Sequence, residues 1–116
     1  MAWVCLKNVK QAHIGRGVQF RFPATWPFED VMEFTTLECS FAESGWAFIA
    51  SSGYHSCRVE LVLPLEAMTT ALGSATMIDT QWLIKNWRKW VYDVSPANVM
   101  VNLKGRGKPK LPVALK

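Results

Sequence analysis

The sequence predicts an α+β domain: an antiparallel sheet of five or six strands with two helices packed on one face. Three observations predict it. Val18, Phe20 and Phe22 alternate with Gln19 and Arg21, the two-residue period of a half-buried strand. Three more β-rich runs follow, joined by short connections marked by Ser and Gly, which argues an antiparallel meander. After Pro64 the apolar period lengthens to that of a helix, and at Val99 it returns to two. Strands, then helices, then a strand is the order of a sheet covered on one face. Short helices are not stable alone in water, so their apolar stripes must bury against that sheet.

The first strand is expected within residues 2–10. Gly15-Arg16-Gly17 punctuates the chain before the second, which Pro23 ends. Pro23 to Pro27 form an irregular loop, because proline interrupts both ladder and helix. Residues 31–41 make a strand with Met32, Phe34 and Thr36 inward and Glu33 pointing to solvent. Glu38 falls on the inward register, so a bulge or a sheet edge is expected there. Residues 46–52 and 57–63 are the next strands. The latter places Cys57, Val59, Leu61 and Leu63 on one face, with Arg58 and Glu60 outward. Pro64 is placed to start a helix over 65–72 that Gly73 stops, and 74–78 read as a loop. Asp79 or Thr80 caps a second helix running to about Tyr92. At 100° per residue, Leu83, Ile84, Trp87, Trp90 and Val91 fall within an arc of roughly 120° and form the buried stripe, with Trp82 and Tyr92 off it. Val99, Val101 and Leu103 alternate as the last strand.

The chain of 116 residues is one domain in size, and half its residues are apolar. The domain is expected over 1–103. Residues 104–116 (KGRGKPKLPVALK) carry five basic residues and no acid, and read as a flexible basic tail. The formal charge of +4 is therefore a property of the tail, since eight basic residues face nine acids in the body. Between Arg21 and Arg58 there is no Lys or Arg, while Glu29, Asp30, Glu33, Glu38 and Glu43 all fall there. An uncancelled acidic stretch sets up a field that attracts a basic partner.

Other classes find little support. The N-terminus lacks the basic and apolar regions of a signal peptide. No apolar run reaches the ~18–20 residues of a membrane span. The expectation is a cytoplasmic protein with no membrane partner. Cys5, Cys39 and Cys57 are odd in number and form no C-x-x-C pair, so free buried thiols are expected and no zinc site. His13 and His55 read as surface or turn histidines. A Cys57–His55 nucleophile pair would need an oxyanion hole that nothing marks. Gly15-Arg16-Gly17 is too short to cradle a phosphate, and the acids show no catalytic spacing. No enzyme activity, metal, cofactor or small-molecule substrate is expected. Two binding functions remain. One uses the acidic segment to hold a protein. The other is a nucleic-acid-binding module that uses the tail and the Lys85/Arg88/Lys89 face beside Trp82. Trp87 and Trp90 sit on the apolar stripe rather than that face, which makes nucleic acid the weaker alternative.

One set of strings bears on the choice. Pro64-Leu-Glu66-Ala67 is followed by Trp82-Leu83, Asn86-Trp87 and Lys89-Trp90, with Trp26-Pro27-Phe28-Glu29-Asp30 and Ser52-Gly53-Tyr54 upstream. Over about residues 20–103 this resembles a family of small bacterial immunity proteins, the one numbered 45. The resemblance implies neutralisation of the toxin domain of a contact-dependent or other polymorphic toxin system. It also implies tight one-to-one binding in the cytoplasm of the producing cell. The basic tail departs from the acidic character common among immunity proteins against nuclease toxins, which leaves the toxin's activity undetermined. The partner surface is expected over residues 26–55: Glu29, Asp30, Glu33, Glu38 and Glu43 supply the field, and Trp46 and Tyr54 the anchors.

Overall fold

Two antiparallel sheets build the protein in a computed structural model that describes residues 3–70, 76–104 and 111. In chain order the strands are β1 (Trp3–Cys5), β2 (His13–Ile14), β3 (Gln19–Pro23), β4 (Val31–Glu38), β5 (Trp46–Ala50), β6 (Val59–Val62), β7 (Met68–Thr70), β8 (Thr76–Asp79) and β9 (Met100–Asn102). The larger sheet runs β1-β9-β3-β4-β5-β6 and the smaller β2-β8-β7. The meander from β4 to β6 is the one its turns predict, and β3 extends it across the irregular loop. The last strand returns between β1 and β3, where Val101 stands opposite both Val4 and Phe20.

Period two decides the inner face of the large sheet. Phe20, Phe22, Met32, Phe34, Thr36, Phe48 and Val101 are all buried there. One helix, α1, covers them: seven α-helical residues (Thr80–Asn86) run on into a π-helical turn (Trp87–Val91). Asp79 caps it, accepting from the Gln81 amide at 3.0 Å. Leu83 and Trp87 are fully buried, as the stripe requires.

Four expectations need correction. The helix expected over 65–72 is a single 3-10 turn, Leu65–Ala67, followed by β7; the end of that segment, from residue 71, lies outside the described residues. Met68 to Thr70 pair instead with Ile78 to Thr76, so the expected loop over 74–78 contributes β8. β-branched threonines favour a pleated surface over a short helix. The second packing layer is thus one helix plus a small sheet, rather than two helices. Next, Trp90 leaves the buried stripe and is 39% exposed. The Tyr92 amide bonds the Trp87 carbonyl at 3.1 Å, five residues back, and a turn that wide advances fewer degrees per residue. Trp90 is thereby rotated out of the seam towards Trp82, 6.0 Å away between ring centroids. Third, β6 does not alternate as expected. It is an edge strand, and a register shift between Phe48 and Ile49 exposes both Val59 and Val62 and turns Glu60 partly inward. Fourth, the three cysteines are free, but none is fully buried: Cys5 and Cys39 are half-buried, and Cys57, at a positive φ of 71° before β6, is exposed.

Candidate functional site

Antiparallel strands send successive connections to opposite ends of a sheet. At ~3.3 Å per residue, the eight residues of β4 set those ends roughly 23 Å apart. The five acids that are neighbours in sequence are therefore separated in space. Glu29 and Asp30 lie in the β3–β4 connection at one end, beside the β5–β6 connection that carries Gly53 to His55. Glu38 and Glu43 lie at the other, and Glu38 is exposed and paired with Arg16 at 2.8 Å. Glu38 does sit on the inward register, and it reaches solvent because it ends the strand.

Glu33 lies between the ends and is only 4% exposed. Its side chain leaves the helix-covered face as expected, but it enters a polar row rather than solvent. Arg21 Nε donates to its Oε1 at 2.8 Å, and Gln19 Nε2 and the Ser51 hydroxyl donate to its Oε2 at 3.3 and 2.7 Å. Asn102 Nδ2 extends the row by donating to Gln19 Oε1 at 3.1 Å. Arg21 in turn lies over the Trp3 ring, 4.3 Å from its centroid, and closes over the carboxylate. Trp46 is likewise buried, at 4%, with its indole N–H donating to the Thr76 carbonyl at 3.2 Å. Both side chains thus lie inside the fold rather than on its surface. The backbone of Tyr54 belongs to a 3-10 turn, Gly53–His55, and its side chain lies outside what the structure describes.

The end that holds Glu29 and Asp30 has a feature that the charge argument overlooked. Trp26 is 90% exposed. Prolines on either side, Pro23 and Pro27, keep its segment out of ladder and helix, and that is the signal in the sequence. The loop is nevertheless braced. Ala24 N donates to the Asp30 carbonyl at 2.9 Å and Phe28 N to the Thr25 carbonyl at 2.8 Å. The Thr25 amide donates to the Tyr92 hydroxyl at 3.0 Å. Phe28 packs edge-on against His55 and Tyr92, at 5.6 and 5.9 Å. The Glu29 carboxylate lies against Gly53, in space that a Cβ would occupy, and its Oε1 is buried with no hydrogen-bond partner among the described residues. A loop braced at its backbone thus exposes one large aromatic ring and carries two acids.

A family model described as Immunity protein 45 matches residues 6–101. The chain belongs to that family. No curated protein and no solved structure matches it. In this Immunity protein 45 chain the matched span reaches from the residue after β1 into β9, so it contains the helix, the smaller sheet and the whole Trp26 loop. The basic segment 104–116 lies beyond it, and apart from Lys104 and Leu111 it lies outside the described residues.

The other face that the sequence singles out is differently built. Lys85, Arg88 and Lys89 are exposed on the helix of the immunity protein, but Arg88 is held by Asp93 at 3.0 Å. Trp82 packs on Trp90 and donates its indole N–H to Glu66 Oε2 at 3.3 Å. A carboxylate at the rim of a ring repels the phosphates that a base-stacking platform must admit. His55 sits at its turn, half-buried, with Nδ1 2.8 Å from Glu60 Oε1. Among the described residues no group of three or more His, Cys, Asp and Glu could hold a metal ion, and no helix is long and apolar enough to cross a membrane.

Proposed function

We propose that this immunity protein neutralises a cognate bacterial toxin domain by tight, non-covalent, one-to-one binding in the cytoplasm of the cell that makes it. The toxin belongs to a contact-dependent or other polymorphic system, and the inhibition involves no enzymatic step. The body over residues 1–103 does the binding, through the loop end that carries Trp26, Glu29 and Asp30. The exposure of Trp26 on a braced loop is the observation that carries this reading. Tryptophan is the residue type most enriched at interface hot spots, and the backbone that carries this one is already held by the loop's hydrogen bonds, which lowers the entropy lost on binding. Glu29 and Asp30 steer a basic toxin surface towards it. Tyr54, on the neighbouring turn, is a further contact. Glu38 and Glu43 form a second, weaker acidic site at the opposite end. Glu33 and Trp46 serve from inside, by holding the sheet that carries these loops.

The test is association with the cognate toxin domain, followed by stopped-flow and by growth of cells that express the toxin. Trp26→Ala should weaken binding at least tenfold, about 1.4 kcal/mol, with no change in melting temperature. Reversing Glu29 and Asp30 to Lys should slow association and flatten its salt dependence. Unchanged kinetics in both variants would move the interface to the Trp82-bearing helix.

A further inference from the structure

Between the inner face of the large sheet and the π-helical turn lies a cavity of about 170 Å³. Two irregularities of the fold border it. The wide turn swings Trp90 away from the seam instead of filling it, and the register shift at β6 turns Glu60 inward. The lining is mostly aromatic, with Phe22, Phe28, Phe34, Trp90 and Tyr92, and among the described residues Glu60 is the one carboxylate in it. The Glu60 side chain is 18% exposed. His55 Nδ1 meets its Oε1, and Oε2 has no partner among the described residues. A carboxylate held in a largely apolar wall is costly unless its charge is met.

Rings around a single carboxylate suit a cation on an apolar stem. The rings attract the charge through their faces, the carboxylate pairs with it, and the stem displaces water from the walls. Size narrows the choice. The cavity is smaller than the roughly 300–1,000 Å³ of sites for drug-sized ligands, and suits one side chain. Its position narrows it further. Phe28 belongs to the Trp26 loop, and the Tyr92 hydroxyl that braces that loop sits on a residue of the cavity wall. We infer that the cavity receives a lysine or arginine side chain of the toxin, its charge on Glu60 Oε2 and its stem among the rings. This inference rests on the proposed immunity function and names the chemistry of the partner's anchor.

The experiment uses the full chain, labelled with ¹⁵N, and three small probes: n-butylguanidinium, n-butanol and butyrate. Butylguanidinium should shift the Trp90 indole and the Phe28 and Glu60 amides, with butanol at least tenfold weaker and butyrate without effect. Glu60→Gln should abolish the preference for the cation, and Trp90→Ala, at an exposed wall, should weaken it at least threefold. The same spectra report whether each variant is folded. Glu60→Gln should also bind the cognate toxin at least tenfold more weakly. Equal shifts from butanol and butylguanidinium, or none at these three residues, would overturn the inference. If Glu60→Gln holds the toxin as the native protein does while Trp26→Ala does not, the cavity plays no part and the immunity reading stands. If the native protein does not bind the toxin, that reading falls with it.

Discussion

Trp87→Ala tests how the helix is held to the sheet. The indole has no exposed surface, and its ring centroid lies 5.4, 5.5 and 6.0 Å from those of Phe20, Phe22 and Phe48. Truncating a buried tryptophan to alanine costs about 3–5 kcal/mol, a range that already contains the lost ring contacts. One effect opposes this loss. Trp87 Nε1 is buried with no hydrogen-bond partner among the described residues, and an orphaned donor costs about 1–3 kcal/mol. Alanine removes that cost with the ring, so the net loss should fall near the lower bound, about 3 kcal/mol. Trp87→Phe separates the two effects, since it keeps a ring and drops the N–H; its net change should stay within about 1 kcal/mol. Domains of this kind have about 5–15 kcal/mol in total, so the alanine variant loses a large share. Urea unfolding followed by circular dichroism is the assay. With a slope of about 1–3 kcal/mol per molar, the alanine midpoint should fall by roughly 1–3 M and the phenylalanine midpoint by less than about 1 M. An unmoved midpoint for alanine would refute the packing. A phenylalanine variant as damaged as the alanine one would refute the argument about the donor.

Three further outcomes follow from other parts of the structure. Glu33→Gln should cost about 1.5–3 kcal/mol, because the carboxylate holds charge-assisted bonds from Arg21, Gln19 and Ser51; a melting curve identical to the native one would show the row to be incidental. Gly53→Ala should cost about 1–2 kcal/mol for its φ of 69° and displace the Glu29 carboxylate, so that association with the toxin slows as well; unchanged melting and unchanged kinetics would contradict both. Truncation after Leu103 should leave stability and protection against the toxin intact, since the removed segment is rich in Gly, Pro and Lys with no periodic apolar face; lost protection would place the tail in the interface.

The large sheet was legible because one face is covered by a helix and the pattern records it. Phe20 and Phe22, then Met32, Phe34 and Thr36, stand two apart and all are buried. Asp79 and Thr80 both offered a capping side chain at the start of the helix, and Asp79 is the one that caps it. The smaller sheet was not legible. Its strands have two to four residues, too few for a period to show, and Met68 to Thr70 adjoin residues that favour a helix. Trp90 was misplaced for a different reason. A helical wheel assumes 100° per residue, and the bond from Tyr92 to Trp87 breaks that assumption in the last turn.

The candidate site was half legible, and the reason is general to antiparallel sheets. A run of like charge in sequence becomes a patch only if the chain keeps it on one side. Here β4 carries the chain roughly 23 Å from Val31 to Glu38, so the run is divided into two ends and a middle. Alternation gave the middle acid the right face and the wrong environment. Pointing away from the helix does not mean pointing into water, because Arg21 and its neighbours close over Glu33 as fully as a helix would. What survives at the first end is a pair of acids beside a ring that two prolines keep out of regular structure. That combination depends on loop chemistry rather than on net charge. A partner selected there must offer a basic group within reach of Trp26, and its overall basicity matters less than where that group sits.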